Sequence, residues 1–409
     1  MKLEELRSRK RIILVGFGVE AKATLEYLAK FHPSSQVETT DEKDGPDYLE
    51  KQEDFDLAIR SPGVRKEFIT IPYTTATNIF FANVTKPIIG VTGSKGKSTT
   101  ASLIHEILSE SNISSELLGN IGVPMLSSLL NPKEPDYYVC ELSSFHLDDI
   151  QYSPHISVVT NLFPEHMDYH QDLDNYYQAK FNITKYQVEK DFFVYNPGYK
   201  LLVDWAMQTK AHQVPVTDSL PFTTSLIPLI GEHNVENVRT ALTVANILKI
   251  PTSVQAKGVE RFKPLPHRLE KVGTFKNLTF YDDAIATTPE ATIEAIKALP
   301  KTSTIFLGGK DRGYDFHSLV NLVLDSPIKN IVLFPDSGTK IKESLDSHEN
   351  IDKKIFATDS MEEAVRFAYQ ESPQGSVVLL SCASPSYSLW KNFEEKGDEF
   401  QKFVKRFGS

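Results

Sequence analysis

Residues 88–104, IIGVTGSKGKSTTASLI, set an apolar run ahead of a bend rich in glycine and lysine, then a run of good helix formers. Gly93 and Gly96 let the backbone curl so that successive N–H groups face one anion, with the positive end of the following helix behind them. Lys97 brings a point charge that can reach terminal phosphates, and the Ser98 hydroxyl can ligate Mg²⁺. The stretch departs from GxxxxGK[ST] only at the first glycine, where Val91 stands. Thr92, Gly93, Ser94, Lys95, Gly96, Lys97, Ser98 and Thr99 are therefore candidates to hold a nucleoside triphosphate. A ligand-free strand–helix turn would explain neither the lysines nor the Ser-Thr-Thr run. The loop says nothing of what becomes of the phosphate.

Two further clusters follow strand-like runs. DYYVCE ends on Glu141, and an acid at a strand's C-terminal edge beside such a loop suits a Mg²⁺ contact. VVTNLFPEHMDYH then carries Glu165, His166, Asp168 and His170 just past another strand, where ligands of open α/β sheets collect.

The elements that must position these groups alternate along the whole chain. RIILVGFGVEAKATLEYLAKF reads as strand, glycine turn and amphipathic helix, and a second strand ends near Asp41. Pro87 marks a boundary. DYYVCE and HISVVTNLF are strands of the next segment, with helices near 172–187 and 233–249. RFKPLPHRLE reads as a linker. Beyond it LTFYDDA, STIFLGG, NIVLFPD, KIFATDS and SVVLLSCAS are strands. Between them Thr288-Pro289-Glu290 marks one helix start, and Ser360 with Glu363 a capping box. The fold class is α/β with mostly parallel sheets, in three domains: 1–86, 87–265 and 266–409.

Composition narrows the setting. Cys140 and Cys382 are the only cysteines and each lies in an apolar run, so buried thiols in a reducing compartment are expected, without a zinc cluster. A formal charge of −10 argues against nucleic acid or anionic membrane as the main partner. No apolar run is long enough for a membrane span, and the basic N-terminus leads straight into a strand without a cleavage site, so no signal peptide is expected. Cytoplasm is the expected location.

TGSKGKST, CELSSF, NLFPEHMD, YYQAK, GEHNVEN, LPHR and KNFEEKGDEF occur in the order and spacing of the Mur ligase family, and the resemblance covers essentially the whole chain. It is most similar to the branch that adds glutamate to UDP-N-acetylmuramoyl-alanine in peptidoglycan synthesis. The resemblance implies a three-domain Mur ligase architecture. A Rossmann-like N-terminal domain takes the UDP substrate, a central P-loop ATPase domain takes ATP, and a Rossmann-like C-terminal domain takes glutamate and closes to exclude water. The implied partners are small molecules only (UDP-N-acetylmuramoyl-alanine, glutamate and ATP), handled by a monomer with no nucleic acid and no membrane span.

Residue by residue, the resemblance gives Lys97 the β- and γ-phosphates, Ser98 and Glu141 the first Mg²⁺, and His166 a second metal. Lys180 of YYQAK matches a lysine that becomes carbamylated, which would turn an ammonium into an anionic oxygen ligand. Lys97, Glu141, His166 and Lys180 form the implied catalytic set. Asn234 and Asn237 match nucleotide contacts, and a spacing of three puts them on one helix face. Arg268 and Asp283 match residues that reach ATP. Arg312, Ser386 and Phe393 match the surroundings of glutamate, where an arginine fork suits a carboxylate. Gly16, Gly18, Asp41 and Gly63 are implied for the UDP substrate, together with Asn120 and Ser143. Glycines at 16, 18 and 63 are equally readable as tight turns. The implied reaction passes through an acyl phosphate on the acceptor carboxylate, which the glutamate amine then attacks.

The chain departs from the family pattern at four positions. Ala21 replaces a glycine, Glu20 puts an acid where an anionic substrate should lie, Ile285 replaces a lysine, and His146 replaces a glutamine. These leave the nucleotide machinery intact and leave open the acceptor and the hand of the glutamate. Three rivals follow: a related ligase such as a folylpolyglutamate synthase, an NAD-dependent dehydrogenase using Asp41 on a ribose, and a non-catalytic nucleotide-binding regulator.

Overall fold

The computed structural model describes residues 1–165, 167–348 and 352–409. Sixteen strands among them form three sheets. The first has the order β2-β1-β3-β4, with β1 Arg11–Val15, β2 Gln36–Thr40, β3 Leu57–Arg60 and β4 Tyr73–Thr75, all parallel. Its C-terminal edge carries Gly16 after β1, Asp41 after β2 and Gly63 after β3. The helix Val19–Phe31 packs by Ala21, Thr24, Tyr27 and Leu28, one face at helical spacing, which is why the small Ala21 serves where the sequence pattern wanted glycine.

The second sheet, β10-β9-β8-β5-β7-β6, is also fully parallel. Its strands are β5 Ile88–Thr92, β6 Ser115–Gly119, β7 Tyr137–Glu141, β8 Ile156–Val159, β9 Phe192–Tyr195 and β10 His212–Pro215. β5 is buried at every position, as a central strand covered on both faces must be. It lies between β7 and β8, so the ends of those three strands meet at one edge.

The third sheet runs β11-β12-β16-β13-β14-β15, with β11 Glu270–Phe275, β12 Leu278–Asp282, β13 Thr302–Gly308, β14 Asn330–Phe334, β15 Lys354–Ala357 and β16 Val377–Leu380. Only β11 is antiparallel to its neighbour. The expected linker RFKPLPHRLE thus leads directly into a strand with no apolar alternation to announce it. Thr288 caps its helix through Ala291 N–H at 3.4 Å, as expected. The expected capping box at Ser360 is half formed: Ser360 Oγ accepts from Glu363 N–H, but Glu363 Oε2 accepts from Thr358 Oγ instead. The helix expected near 172–187 spans Leu173–Phe181 and tightens into a 3₁₀ turn at Asn182–Thr184.

Met1–Pro228 with His233–Phe262 form one compact unit, holding the first two sheets; Leu229–Glu232 with Lys263–Ser409 form a second. Both cysteines are buried thiols. Among the described residues no helix is long and apolar enough to cross a membrane.

Candidate active site

The glycine loop follows β5, and the helix Lys97–Glu110 starts on Gly96 in a left-handed conformation, φ +80°. A Cβ at Gly96 would stand 2.2 Å from Asn237 Oδ1, so only glycine lets the second motif approach. Asn237 is held there by Thr100 Oγ at 3.3 Å, and its own amide donates to Asn234 Oδ1 at 3.1 Å. The two asparagines do share a face, and Asn237 abuts the loop.

The loop is gripped from the end of β8. Asn161 accepts from Lys95 N–H through Oδ1 at 2.8 Å and donates to Lys95 O through Nδ2 at 3.0 Å, while Thr160 Oγ donates to Lys95 O at 2.7 Å. Ser94 Oγ exchanges hydrogen bonds with the Phe163 backbone at 2.8 Å and meets Tyr176 Oη at 2.9 Å. Thr160, Asn161 and Tyr176 were not singled out from sequence. The signal available for two of them was a polar Thr-Asn pair closing the apolar run SVV.

Lys97 Nζ folds back onto the carbonyls of Gly93, at 3.0 Å, and Ser94, at 2.7 Å. Lys180 Nζ reaches the same Gly93 oxygen at 2.8 Å and lies 4.7 Å from the centre of the Tyr176 ring. Lys180 is 1% exposed. Burial first, and the neighbouring Lys97 ammonium second, push its pKa well below the ordinary lysine value. Lys95 pairs with Glu165. His170 is buried against Ser144 Oγ at 2.9 Å, which makes it a packing residue. His166 lies outside the described residues.

Glu141 ends β7 with its side chain buried. Asn120 Nδ2 donates to Oε1 at 3.4 Å, but Oε2 is buried with no hydrogen-bond partner among the described residues. An orphaned buried carboxylate oxygen beside a phosphate-type loop is what a divalent cation would satisfy, and the Ser98 hydroxyl supplies a second oxygen donor. The donor set therefore fits Mg²⁺.

At the edge of the first sheet, Gly16 (φ +85°) brings the chain against residues 61–64; a Cβ there would meet Val64 at 2.8 Å. A Cβ on Gly18 would meet nothing within 4 Å, so this helix start faces open space. Gly63 likewise has room around it, and no left-handed conformation demands a glycine there. Asp41 accepts the N–H groups of Phe17 at 2.7 Å and Lys43 at 3.2 Å, which hold its carboxyl below the usual range. Its observed task is to pin the glycine turn. Ser143 caps the helix Ser144–Leu147. Glu20 and His146, two of the four departures, are partners: His146 Nε2 lies 2.6 Å from Glu20 Oε1. Arg60, 1% exposed, forks onto Asp149 at 2.9 and 3.1 Å.

In the second unit, Asp283, Ser386 and Arg312 follow β12, β16 and β13, adjacent parallel strands, and so share one sheet edge. Asp283 is buried, accepts from Ser381 Oγ at 2.8 Å and Leu269 N–H at 3.2 Å, and burial raises its pKa to about 7. Arg268 lies close enough to oppose that rise. Ser386 Oγ is buried without a partner among the described residues, Arg312 is exposed, and Phe393 opens the helix Phe393–Gly408. His267, Glu270 and Asp282 could in principle hold a metal. Their contacts are already made: His267 Nδ1 meets Asp282 at 2.7 Å, and Gln401 donates to both acids at 2.9 and 3.0 Å.

Three α/β domains, with a phosphate-type loop at the switch point of the second sheet, define a P-loop nucleotide-binding architecture. Residues 91–219 match the Mur ligase middle domain and residues 267–383 the Mur ligase glutamate ligase domain. A UDP-N-acetylmuramoylalanine–D-glutamate ligase from Oenococcus oeni is 33% identical, with 97% of each chain covered. A UDP-N-acetylmuramoyl-L-alanine–L-glutamate ligase from Salinispora tropica is 32% identical, with 99% of each covered. The crystal structure of a MurF ligase from Thermotoga maritima in complex with ADP shares the fold at 16% identity and a TM-score of 0.65, over 98% of this chain and 99% of that one. The chain belongs to the Mur ligase family.

Proposed function

We propose that the protein is an ATP-dependent amide ligase that joins D-glutamate to UDP-N-acetylmuramoyl-L-alanine in peptidoglycan precursor synthesis. The observation that carries this reading is the convergence on one loop of two lysines and Asn237, with an orphaned acid at the end of the neighbouring strand β7.

The γ-phosphoryl group of ATP passes to the acceptor carboxylate, giving ADP and an acyl phosphate. The glutamate amine attacks the acyl carbon, the tetrahedral intermediate expels inorganic phosphate, and one amine proton is given up to solvent as the amide forms. Two anions must approach each other in the first step, so cationic groups and backbone N–H donors carry the cost. Lys97 and the N-terminus of its helix serve the phosphates, and Asn234 and Asn237 the nucleotide. Ser98 and Glu141 would hold Mg²⁺, with His166 and Lys180 at a second ion; the metal supplies charge neutralisation on the phosphoryl oxygens. A neutral Lys180 amine can add CO₂ and release a proton, becoming an anionic carbamate. Burial of Lys180 supports this reading. In the second unit we assign Arg268 and Asp283 to ATP, and Arg312, Ser386 and Phe393 to glutamate. Gly16, Gly18, Asp41, Gly63, Asn120 and Ser143 are assigned to the acceptor.

The test is phosphate release with ATP, Mg²⁺, acceptor and each glutamate enantiomer, with the product weighed by mass spectrometry. A product mass of acceptor plus glutamate less water, formed from the D-enantiomer, is expected. Release that needs neither acceptor nor glutamate would refute the reading. Product from L-glutamate alone would shift the assignment to the activity named for the Salinispora relative.

A further inference from the structure

The Glu20–His146 contact joins two places that an anionic acceptor must use. Glu20 lies in the first turn of the thirteen-residue helix Val19–Phe31, directly after Gly16 and Gly18. The first turn of a helix offers unpaired N–H donors and a positive dipole end to an anion, and a carboxylate belonging to that same turn is the nearest competitor. The Glu20 carboxylate is turned into the protein: its side chain is 20% exposed and Oε1 sits 2.6 Å from His146 Nε2. Oε2 is buried with no hydrogen-bond partner among the described residues, so His146 is the partner that holds this charge.

His146 is 4% exposed, and its other ring nitrogen faces Ser143, 3.1 Å from the N–H and 2.9 Å from Oγ. The ring thus connects the glycine-turn helix to the turn after β7 in one line. Two other charged groups bear on it, Glu141 at the end of β7 and Arg60 at the end of β3. Arg60 is committed to Asp149, and Glu141 adds negative charge, so neither substitutes for His146 as the partner of Glu20.

Resting on the reading given above, we propose that His146 is a specificity-determining residue for the acceptor: it draws the Glu20 carboxylate out of the helix's first turn and compensates its charge, so that the turn accepts a pyrophosphate. Neither residue need touch substrate; they position and neutralise. Without His146 the carboxylate is free to swing back to the turn and repel the incoming anion.

The experiment is calorimetric titration of UDP, the probe for the acceptor's diphosphate, into wild type, H146Q, E20Q and E20Q/H146Q, with acceptor KM, ATP KM and kcat measured alongside. H146Q should weaken UDP binding and raise acceptor KM by about tenfold, as an uncompensated charge at a helix N-terminus does, with ATP KM and kcat little changed. E20Q should bind UDP at least as tightly as wild type, and E20Q/H146Q should return to within about twofold of it, because the couple and not the histidine sets the charge. Wild-type affinity in H146Q, or no recovery in the double variant, would overturn the proposal. Should H146Q fail to fold, E20Q/H146Q must bind UDP as E20Q does, and weaker binding would be equally fatal. If wild type forms no glutamate adduct yet binds UDP, the ligase reading falls while the titrations still decide the role of the pair. If wild type does not bind UDP, both fall.

Discussion

Replacing Gly96 with alanine should disable nucleotide binding in the otherwise folded protein. Gly96 sits at φ +80°, where a side chain costs about 1 kcal/mol. The new Cβ would also stand 2.2 Å from Asn237 Oδ1 and needs 3.4 Å for ordinary contact, so Asn237 must retreat by more than an ångström. Asn237 cannot do so freely, because Thr100 at 3.3 Å and Asn234 at 3.1 Å hold it. Losing one or both of those bonds adds about 1 kcal/mol each, for a total of about 2–3 kcal/mol. Expressed in binding, that is about 30- to 150-fold weaker ADP affinity, measured by calorimetry with Mg²⁺ present. The same reasoning fixes a control: in an Asn237→Ala background the clash is gone, so G96A should cost only the backbone share, about 1 kcal/mol. Wild-type ADP affinity and melting temperature in G96A would refute this account. So would strict additivity of the two substitutions, since it would mean that the loop and the asparagine do not press on each other.

Lys180 should confer a dependence on dissolved CO₂. Two lysine nitrogens share the Gly93 oxygen, and the more deeply buried one cannot hold its proton cheaply. Ligase turnover in CO₂-depleted buffer should fall and recover with bicarbonate, and turnover indifferent to bicarbonate would remove the carbamate. Asp149→Ala should destabilise the first unit by about 3–5 kcal/mol in denaturant unfolding, because it removes the carboxylate paired with the buried Arg60 guanidinium and leaves it only carbonyls and the Tyr169 hydroxyl, while Arg60→Met/Asp149→Leu should recover most of the loss. Recovery no better than the single variant would show that the pair is not the cause. The second unit should lose stability as pH rises from 3.8 to about 7 through Asp283. Its folded pKa lies above the unfolded one, so its favourable contribution is whole below 3.8 and gone once the buried acid ionises. Melting of Asp283→Asn across that window should be flatter than wild type, and equal slopes would exclude Asp283 as the titrating group.

What was legible in the sequence is what lies close along the chain. The loop at 92–99 declares itself because glycine, lysine and hydroxyl residues must be contiguous to wrap one phosphate, and the strand before it is an uninterrupted apolar run. Asn237 was reached by resemblance only; its partner Thr100 is 137 positions away, and no periodicity in either segment reports that distance. Tyr176 and Asn161, which hold the loop in shape, were passed over for the same reason. β11 begins at the last residue of the stretch read as linker, and no apolar alternation announces it, because it is an edge hairpin strand with a bulge between Lys271 and Gly273.

Glu20 and His146 make the sharper case. Taken singly, each contradicts the expected pattern: an acid where an anion should bind, and an imidazole where an amide was expected. Across 126 positions they form one buried contact, and each removes the objection to the other. The repulsion that a carboxylate at a helix start exerts on an incoming anion is electrostatic and can be cancelled from any direction in space, including by a residue on another sheet. A local rule broken twice, with opposite chemical character, is therefore evidence of a pair. Within this chain the same logic covers Arg60, which is 1% exposed at the end of β3 and has its charge met by Asp149, 89 positions away.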